Sequence, residues 1–114
     1  MSPAALAAAA SPRRREILRL IWRDERSAGD IHRAMPDVTF GAISIQLKTL
    51  LDAGLVEVRA ESRSRLYVAR REAFGPLAEI LEHTWDDALA RLKVQAELDE
   101  ARRGPRPKKK RKAK

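Results

Sequence analysis

The residues best suited to contacting another molecule lie on one side of the segment from Val38 to Gly54. At 100° per residue, the side opposite its apolar residues carries Gly41, Ile45, Lys48 and Thr49, with Ser44 on one flank and Gln46 on the other. No Asp or Glu occurs between Val38 and Leu51. Small side chains allow close approach to a DNA major groove, and the lack of carboxylates avoids repulsion of phosphates. The alternative is an ordinary amphipathic helix whose outer face is only solvated.

Apolar spacing predicts that this segment is a helix. Ile43, Leu47, Leu50 and Leu51 recur at the spacing of one buried helical stripe. Thr39 is an N-cap residue type, and Gly54 suits the left-handed position just past a helix C-terminus. The period then changes to that of a strand over residues 55–59.

The preceding residues predict the rest of a helix-turn-helix. Residues 3–10 read as a short Ala-rich helix, and Ser11-Pro12 starts a second helix as N-cap and N1. Ser27 and Asp30 form a capping box for a third, short helix, and Pro36-Asp37 connects it to Thr39. Three arginines, residues 13–15, crowd the start of the second helix and oppose its dipole. We expect a neighbouring carboxylate to compensate them, in preference to a bound phosphate.

A β-hairpin follows, with strands over residues 55–60 and 65–70 and a polar tip. Arg59, Arg63 and Arg65 are expected to lie beside one another on it. Packed on the helices, such a hairpin is a wing whose arginines can contact the DNA backbone or the minor groove. A solvated basic hairpin is the alternative.

Residues 72–102 form one long helical pattern with an apolar face too broad for the preceding body to cover. A homodimer is the economical explanation, because symmetric pairs dominate assemblies and would present two helices one DNA turn apart. The predicted dimer residues on this helix are Leu77, Ile80, Leu81, Thr84, Trp85, Ala88 and Leu92.

Net charge is unevenly distributed. Of the formal +8, residues 102–114 contribute nine Lys and Arg and no acid, whereas residues 1–101 hold 15 Lys and Arg against 16 Asp and Glu. We predict a winged-helix domain over residues 1–103 and a disordered basic tail over residues 104–114. The tail is a DNA-binding arm, or a nuclear import signal if the host is eukaryotic.

Several classes of function find no support in the sequence. Without cysteine there are no thiolate metal sites or disulfides. His83 has Glu79, Asp86 and Asp87 at helical spacing, but surface carboxylates usually cap a lone histidine, and His32 has no partners. We therefore expect no metal and no cofactor. There is no nucleophile–base pair and no glycine-rich phosphate loop, which argues against an enzyme. No segment reaches the length of a membrane span, and a cytoplasmic protein is expected.

Residues 11–93 together resemble the ArsR/SmtB family of winged helix-turn-helix repressors, in the branch lacking the cysteine metal site. The resemblance is carried by the segments Arg13–Trp22, Ser27–Ile31, Val38–Lys48, Asp52–Val56 and Arg65–Tyr67. It implies a mainly α fold with a small β-hairpin, in the order three helices, reading helix, hairpin, last helix. It also implies homodimerisation through the first helix, where Leu6 lies, and the last helix.

The resemblance further implies binding to a palindromic double-stranded DNA operator. Base-edge contacts in the family fall on positions that are here Phe40, Gly41, Ser44 and Ile45, of which Phe, Gly and Ile depart from the usual polar types. Contacts with thymine methyl groups could replace some hydrogen bonds. The predicted DNA-binding set is Thr39, Phe40, Gly41, Ser44, Ile45, Gln46, Lys48, Arg63 and Arg65. The alternative is a protein-interaction module whose last helix binds a different protein; the effector is unknown.

Overall fold

The computed structural model describes residues 2–103, which form five α-helices and three β-strands. In chain order these are α1 (Pro3–Ala9), α2 (Pro12–Leu20), β1 (Arg26–Ser27), α3 (Ala28–Ala34), α4 (Phe40–Asp52), β2 (Val56–Glu61), β3 (Ser64–Ala69) and, after a 3₁₀ turn (Arg71–Phe74), α5 (Leu77–Arg103). The chain divides into two units between Ile80 and Leu81, within α5. None of the helices within residues 2–103 is long and apolar enough to cross a membrane.

Side-chain caps begin α2, α3 and α4, as the sequence predicts. The Ser11 hydroxyl accepts a hydrogen bond from the backbone N–H of Arg14 at 3.2 Å, with Pro12 in the first turn. The Thr39 hydroxyl accepts from the backbone N–H of Ala42 at 3.1 Å. Ser27 and Asp30 form both halves of the predicted capping box. These caps satisfy N–H groups that have no partner within their own helix.

The C-terminus of α4 is closed by a Schellman motif. Gly54 adopts φ of 77°, the left-handed conformation expected from the sequence. Its N–H donates to the Leu51 carbonyl at 3.0 Å, and the N–H of Leu55 donates to the Leu50 carbonyl at 3.0 Å. Leu50 and Leu55 are both buried, which supplies the apolar contact that accompanies this motif. The chain therefore leaves α4 in a fixed direction toward β2.

The core of the first unit is apolar and comes from every helix around α4. Ile43, Leu47 and Leu50 of α4 are almost fully buried, which confirms the predicted helical stripe. The other fully buried large side chains in this unit are Ile17, Leu18, Ile21, Ile31, Leu55 and Phe74. Because α4 buries one side completely, its opposite side is fixed toward solvent.

The hairpin is part of a three-stranded antiparallel sheet of order β1-β3-β2. β2 and β3 pair from Val56 opposite Ala69 to Glu61 opposite Ser64, and the turn residue Ser62 adopts a positive φ of 57°. The short strand β1 extends β3 on its other side, with Arg26 opposite Tyr67. The sequence predicts only two strands, since a two-residue strand has no periodicity to detect.

The last helix begins later than the predicted residue 72. Residues 71–74 form a 3₁₀ turn, Gly75 adopts φ of 55°, and α5 starts at Leu77. Pro76 cannot donate a helical hydrogen bond, so the Gly-Pro pair breaks the pattern. The turn directs Phe74 into the core, where its ring meets Trp22 edge-on at a centroid distance of 5.1 Å.

Candidate nucleic-acid interface

The outward side of α4 is accessible along its length. We call Phe40, Gly41, Ser44, Ile45 and Lys48 the reading face. All five are exposed, with Ile45 at 66% and Phe40 at 50% of their full accessibility. A Cβ atom added at Gly41 would meet no atom within 4 Å, so open space lies in front of that residue. Five of the seven sequence-predicted residues between Thr39 and Lys48 are therefore brought together on one surface.

Several polar groups on or beside the reading face already have partners within the chain. The Lys48 ammonium lies 3.2 Å from the Asp52 carboxylate, and both side chains are exposed. Such an exposed pair contributes little to stability. The Thr39 hydroxyl is occupied as the N-cap, and the Thr49 hydroxyl donates to the Ile45 carbonyl at 3.1 Å.

Gln46 differs from the other predicted contacts. It is half-buried, and its amide oxygen accepts a hydrogen bond from Arg14 Nη1 at 3.0 Å. Gln46 thus faces α2, away from the middle of the reading face. The sequence places it on a flank of the helix, and no local signal indicates the partner, which is 32 residues away.

The first residue of α4 is held by α3. The rings of His32 and Phe40 meet edge-on, with centroids 6.0 Å apart and planes at 83°. Edge-to-face pairs of this geometry are mildly favourable. The contact joins α3 to the exposed Phe40 ring at the N-terminal end of α4.

Two of the three arginines at the start of α2 bind the C-terminus of α1, and neither binds a carboxylate of the described residues. Arg14 donates from Nε to the Ala8 carbonyl at 3.3 Å and from Nη2 to the Ala7 carbonyl at 3.2 Å. Arg15 donates to the Ala9 carbonyl. These are the last carbonyls of α1, which lack helical partners and carry the negative end of its dipole. The expectation of a carboxylate was wrong, and Glu16 pairs with Arg19 instead.

Arg13 remains exposed and, within residues 2–103, has no hydrogen bond or ion pair. It lines a surface cavity of about 520 Å³ between the start of α2 and the connection from α3 to α4. The other lining residues are Ser11, Pro12, Met35, Asp37, Val38 and Gln46. Arg13 adds a positive charge beside the N-terminal half of α4 that the sequence prediction did not include.

The wing, defined as β2, β3 and their turn, separates its arginines. Arg63 lies in the two-residue turn and Arg65 on β3, both exposed and, among the described residues, without an ion pair. Arg65 is opposite Ala60 in the register, whereas Arg59 is opposite Leu66. Successive side chains alternate between faces, so Arg59 and Arg65 lie on opposite faces of the wing. The expectation that they lie side by side was wrong.

Arg59 is instead held by two carboxylates. Its Nε and Nη2 donate to the Glu25 carboxylate at 2.7 and 2.8 Å, and Nη2 also donates to Glu61 at 3.0 Å. The hydrogen bond from Arg59 holds the pKa of the Glu25 carboxyl below its ordinary value, and the pKa of Arg59 is raised in turn. Arg59 therefore ties the wing to the segment before β1.

A further arginine fixes the junction between α4 and the wing. Arg70 Nη1 donates to the Gly54 carbonyl at 2.8 Å, and its Nε lies 3.5 Å from Glu57 and 3.4 Å from Glu72. Its backbone N–H also donates to the Leu55 carbonyl at 2.8 Å. The orientation of the wing relative to α4 is thus set by both backbone and side chain of one residue.

The predicted dimer residues divide by exposure. Leu6 of α1 and Ile80 and Leu92 of α5 are more than half exposed, whereas Leu81 is buried. Thr84 and Ala88 are exposed, and Leu77 and Trp85 are half-buried. The second half of α5 also exposes Leu89, Val94 and Leu98. At 100° per residue, Val94 and Leu98 lie on the side of the helix opposite the stripe of Leu89 and Leu92.

Two other predictions concern the basic tail and metal binding. The basic tail, residues 104–114, lies outside the described residues. Within residues 2–103, no group of three or more His, Asp or Glu side chains could hold a metal ion.

The exposed second helix of a helix-turn-helix, followed by a sheet wing, defines a winged helix-turn-helix protein. A family model described as a helix-turn-helix domain matches residues 9–59, which run from the end of α1 into β2. No curated protein sequence matches the chain.

Solved structures narrow the class further. An ArsR-like transcriptional regulator from Rhodococcus sp. RHA1 is 33% identical, covering 82% of this chain and 88% of its own, with a TM-score of 0.61. HlyU from Vibrio cholerae N16961 is 27% identical over 72% of this chain and 88% of its own, with a TM-score of 0.64. The homodimeric winged helix-turn-helix DNA-binding domain of Mb0332 from Mycobacterium bovis, a possible ArsR-family regulator, is 28% identical over 74% of this chain and 77% of its own, with a TM-score of 0.62.

The chain belongs to the ArsR family of winged helix-turn-helix transcriptional regulators. The family and fold indicated by the sequence are confirmed, and membership identifies a DNA-binding regulator instead of an enzyme.

Proposed function

We propose that the chain is a homodimeric repressor that binds a palindromic operator. In this proposal the reading face of α4 enters the major groove, and Arg63 and Arg65 of the wing contact the adjacent backbone or minor groove. Metal sensing is not part of the proposal, because the chain lacks cysteine and its two histidines, His32 and His83, lie on different helices. The signal that releases the operator is left open.

The observation that carries this proposal is the composition of the reading face. It is exposed, it contains no carboxylate before Asp52, and it has open space in front of Gly41. Gly41 is the second residue of α4, where glycine is still a poorer helix former than Ala, although its cost there is below the roughly 1 kcal/mol of a helix interior. Close approach to a ligand is one reason for a glycine at such an exposed position.

Dimerisation rests on α5 and on a structural neighbour. The exposed leucines of α5, Leu89 and Leu92, form an apolar surface that favours a second copy as partner. The Mb0332 domain, which has the same fold, is described as homodimeric. A two-fold axis would place two copies of α4 at the spacing of successive major grooves.

The remaining finer proposals concern the tail and the location. Residues 104–114 contribute seven Lys and Arg without an acid, which suits a non-specific DNA-binding arm. We propose a cytoplasmic, nucleoid-associated protein. The winged-helix domain then comprises residues 1–103.

A substitution at Gly41 tests the reading face with effects of opposite sign. Gly41→Ala should raise the free energy of unfolding by less than about 1 kcal/mol, the value for a helix interior, since the added Cβ meets no neighbour and Ala favours the helix. The same Cβ should weaken binding to the selected operator while leaving binding to random DNA unchanged. Chemical denaturation and fluorescence anisotropy measure the two quantities. Equal operator affinity for both proteins would contradict the proposal.

Two lysine substitutions distinguish the effect of a lysine's position from the effect of losing one positive charge. Lys48→Ala should weaken operator binding more than binding to random duplex, because Lys48 lies on the reading face. Lys93→Ala on α5 removes the same charge from another exposed position and should affect the two DNAs alike.

Deleting residues 104–114 should lower both affinities and reduce the slope of log affinity against log salt by about 0.9 per lost phosphate contact.

One observation favours the second candidate, a protein-interaction module. Val94 and Leu98 are exposed on the side of α5 opposite Leu89 and Leu92, which one helical partner would not cover. The mass in solution distinguishes the candidates. A stable dimer supports the repressor, and a monomer that binds no DNA specifically supports the module.

A further inference from the structure

We propose that α4 selects its operator chiefly through the 5-methyl groups of thymine, which Phe40 and Ile45 contact in the major groove. This inference rests on the proposed function, since it requires α4 to enter that groove. It goes further by naming the chemical group that is read. Hydrogen bonds to base edges then contribute less than apolar contact does.

The first argument is the exposure of two large apolar side chains in the N-terminal half of α4. Ile45 is 66% and Phe40 50% exposed, although α4 already buries three aliphatic residues on its other side. N-terminal residues of a recognition helix are the ones that contact bases. In the major groove, thymine alone among the four DNA bases presents a methyl group, and apolar side chains recognise it.

The second argument is the shortage of polar groups able to read bases. Gln46 is held by Arg14, and the Thr39 and Thr49 hydroxyls are bound to the backbone of their own helix. Lys48 is a flexible cation paired with Asp52, suited to phosphate more than to one base. Among the described residues of the reading face, Ser44 alone offers a polar side chain without a hydrogen bond. One hydroxyl cannot distinguish several base pairs, so most discrimination must come from other contacts.

The third argument is the fixed position of the Phe40 ring. Its edge contact with His32 at 6.0 Å restricts the side chain before DNA binds. A side chain already held in place loses less conformational entropy on binding. Gly41, next in sequence, leaves room for the groove wall to approach.

Uracil substitution tests the proposal directly, because uracil lacks only the 5-methyl group and keeps the hydrogen-bonding edges of thymine. The full chain first selects its preferred sequences from a random duplex library. Each thymine of the selected site is then replaced singly by uracil, and the dissociation constant is measured for the wild type, Ile45→Ala and Phe40→Ala. We expect the wild type to lose about fourfold in affinity at each contacted thymine, the factor for one methyl group removed from water.

The variants assign each methyl group to a side chain. Ile45→Ala should bind the thymine and uracil duplexes equally at one set of positions, and Phe40→Ala at another. Both residues are at least half exposed, so the variants keep the core intact. The control Val58→Ala removes an exposed apolar side chain from the wing and should leave every uracil effect unchanged.

The outcomes separate this inference from the proposed function. A selected site that binds equally well with uracil throughout would overturn methyl recognition while leaving operator binding intact. Uracil effects that persist in both alanine variants would also overturn it, since they would arise from DNA shape. A library that yields no preferred sequence would overturn both the inference and the proposed operator.

Discussion

Two clusters of three arginines look alike in the sequence and differ in what they contact. One lies at the start of α2, at residues 13–15, and the other lies on the wing, at residues 59, 63 and 65. In the first cluster, Arg14 and Arg15 satisfy the last carbonyls of α1. In the second, Arg59 is bound by Glu25 and Glu61. Half of the six charges are therefore used inside the protein.

The comparison shows what separates an arginine that is bound within the protein from one that is left exposed. Structural arginines lie next to groups that need a cation, namely helix C-terminal carbonyls or carboxylates. The side chains of Arg13, Arg63 and Arg65 make no hydrogen bond or ion pair within residues 2–103 and remain exposed. The arginines left exposed are thus fewer than the sequence count suggests, and they flank α4 on both sides in the chain.

The largest expected effect is on stability, at Arg14. Arg14→Ala removes three hydrogen bonds that join α1, α2 and α4, and leaves carbonyls of α1 without their cation. We expect a loss of about 1 to 3 kcal/mol in the free energy of unfolding, the range for hydrogen bonds to charged groups. Urea denaturation at a fixed protein concentration measures it, since a dimer's stability depends on concentration.

The matched control for Arg14 is its neighbour. Arg13→Ala removes the same charge from the same helical turn, and its side chain has no bonded partner within residues 2–103. Its effect on stability should stay within about 0.5 kcal/mol, the usual range for surface positions. Equal destabilisation by the two substitutions would show that total charge, and not the contacts of Arg14, stabilises this region.

The second effect is on DNA binding by the wing. Arg63→Ala and Arg65→Ala should each reduce the dependence of log affinity on log salt by about 0.9, if each contacts one phosphate. Arg59→Ala should leave that slope unchanged, because Arg59 lies on the other face and is already paired. Titrations at several salt concentrations measure the slopes. An equal reduction for all three variants would remove the distinction within the wing.

The sequence could predict what local patterns determine. The spacing of Ile43, Leu47 and Leu50, the Thr39 cap and the left-handed Gly54 define α4, and the structure has all of them. Because that stripe must be buried, the opposite face and its members follow from helical geometry. The roles of Ser44 and Lys48 in binding remain predictions.

Contacts between distant segments could not be predicted in the same way. Arg14 reaches Gln46 across 32 residues, and Arg59 reaches Glu25 across 34. No repeating pattern in the sequence indicates either pair, because each contact depends on how separate elements pack. The face of the wing on which Arg59 lies could have been predicted from the sequence, since a two-residue turn fixes the register and hence the face of each side chain.

The smallest expected effect concerns the pH dependence of the Arg59 pair. Because Arg59 lowers the pKa of the Glu25 carboxyl, the pair stabilises the folded state fully above the unfolded pKa of about 4.3. The contribution is lost as pH falls through the lower folded pKa. Arg59→Gln should therefore be slightly less stable than Arg63→Gln at neutral pH, and this difference should vanish in acid. Both variants lose one positive charge, so the comparison of their thermal unfolding cancels the general effect of charge. A difference that persists at acid pH would mean that Arg59 stabilises the wing by packing of its aliphatic stem instead of by its charge.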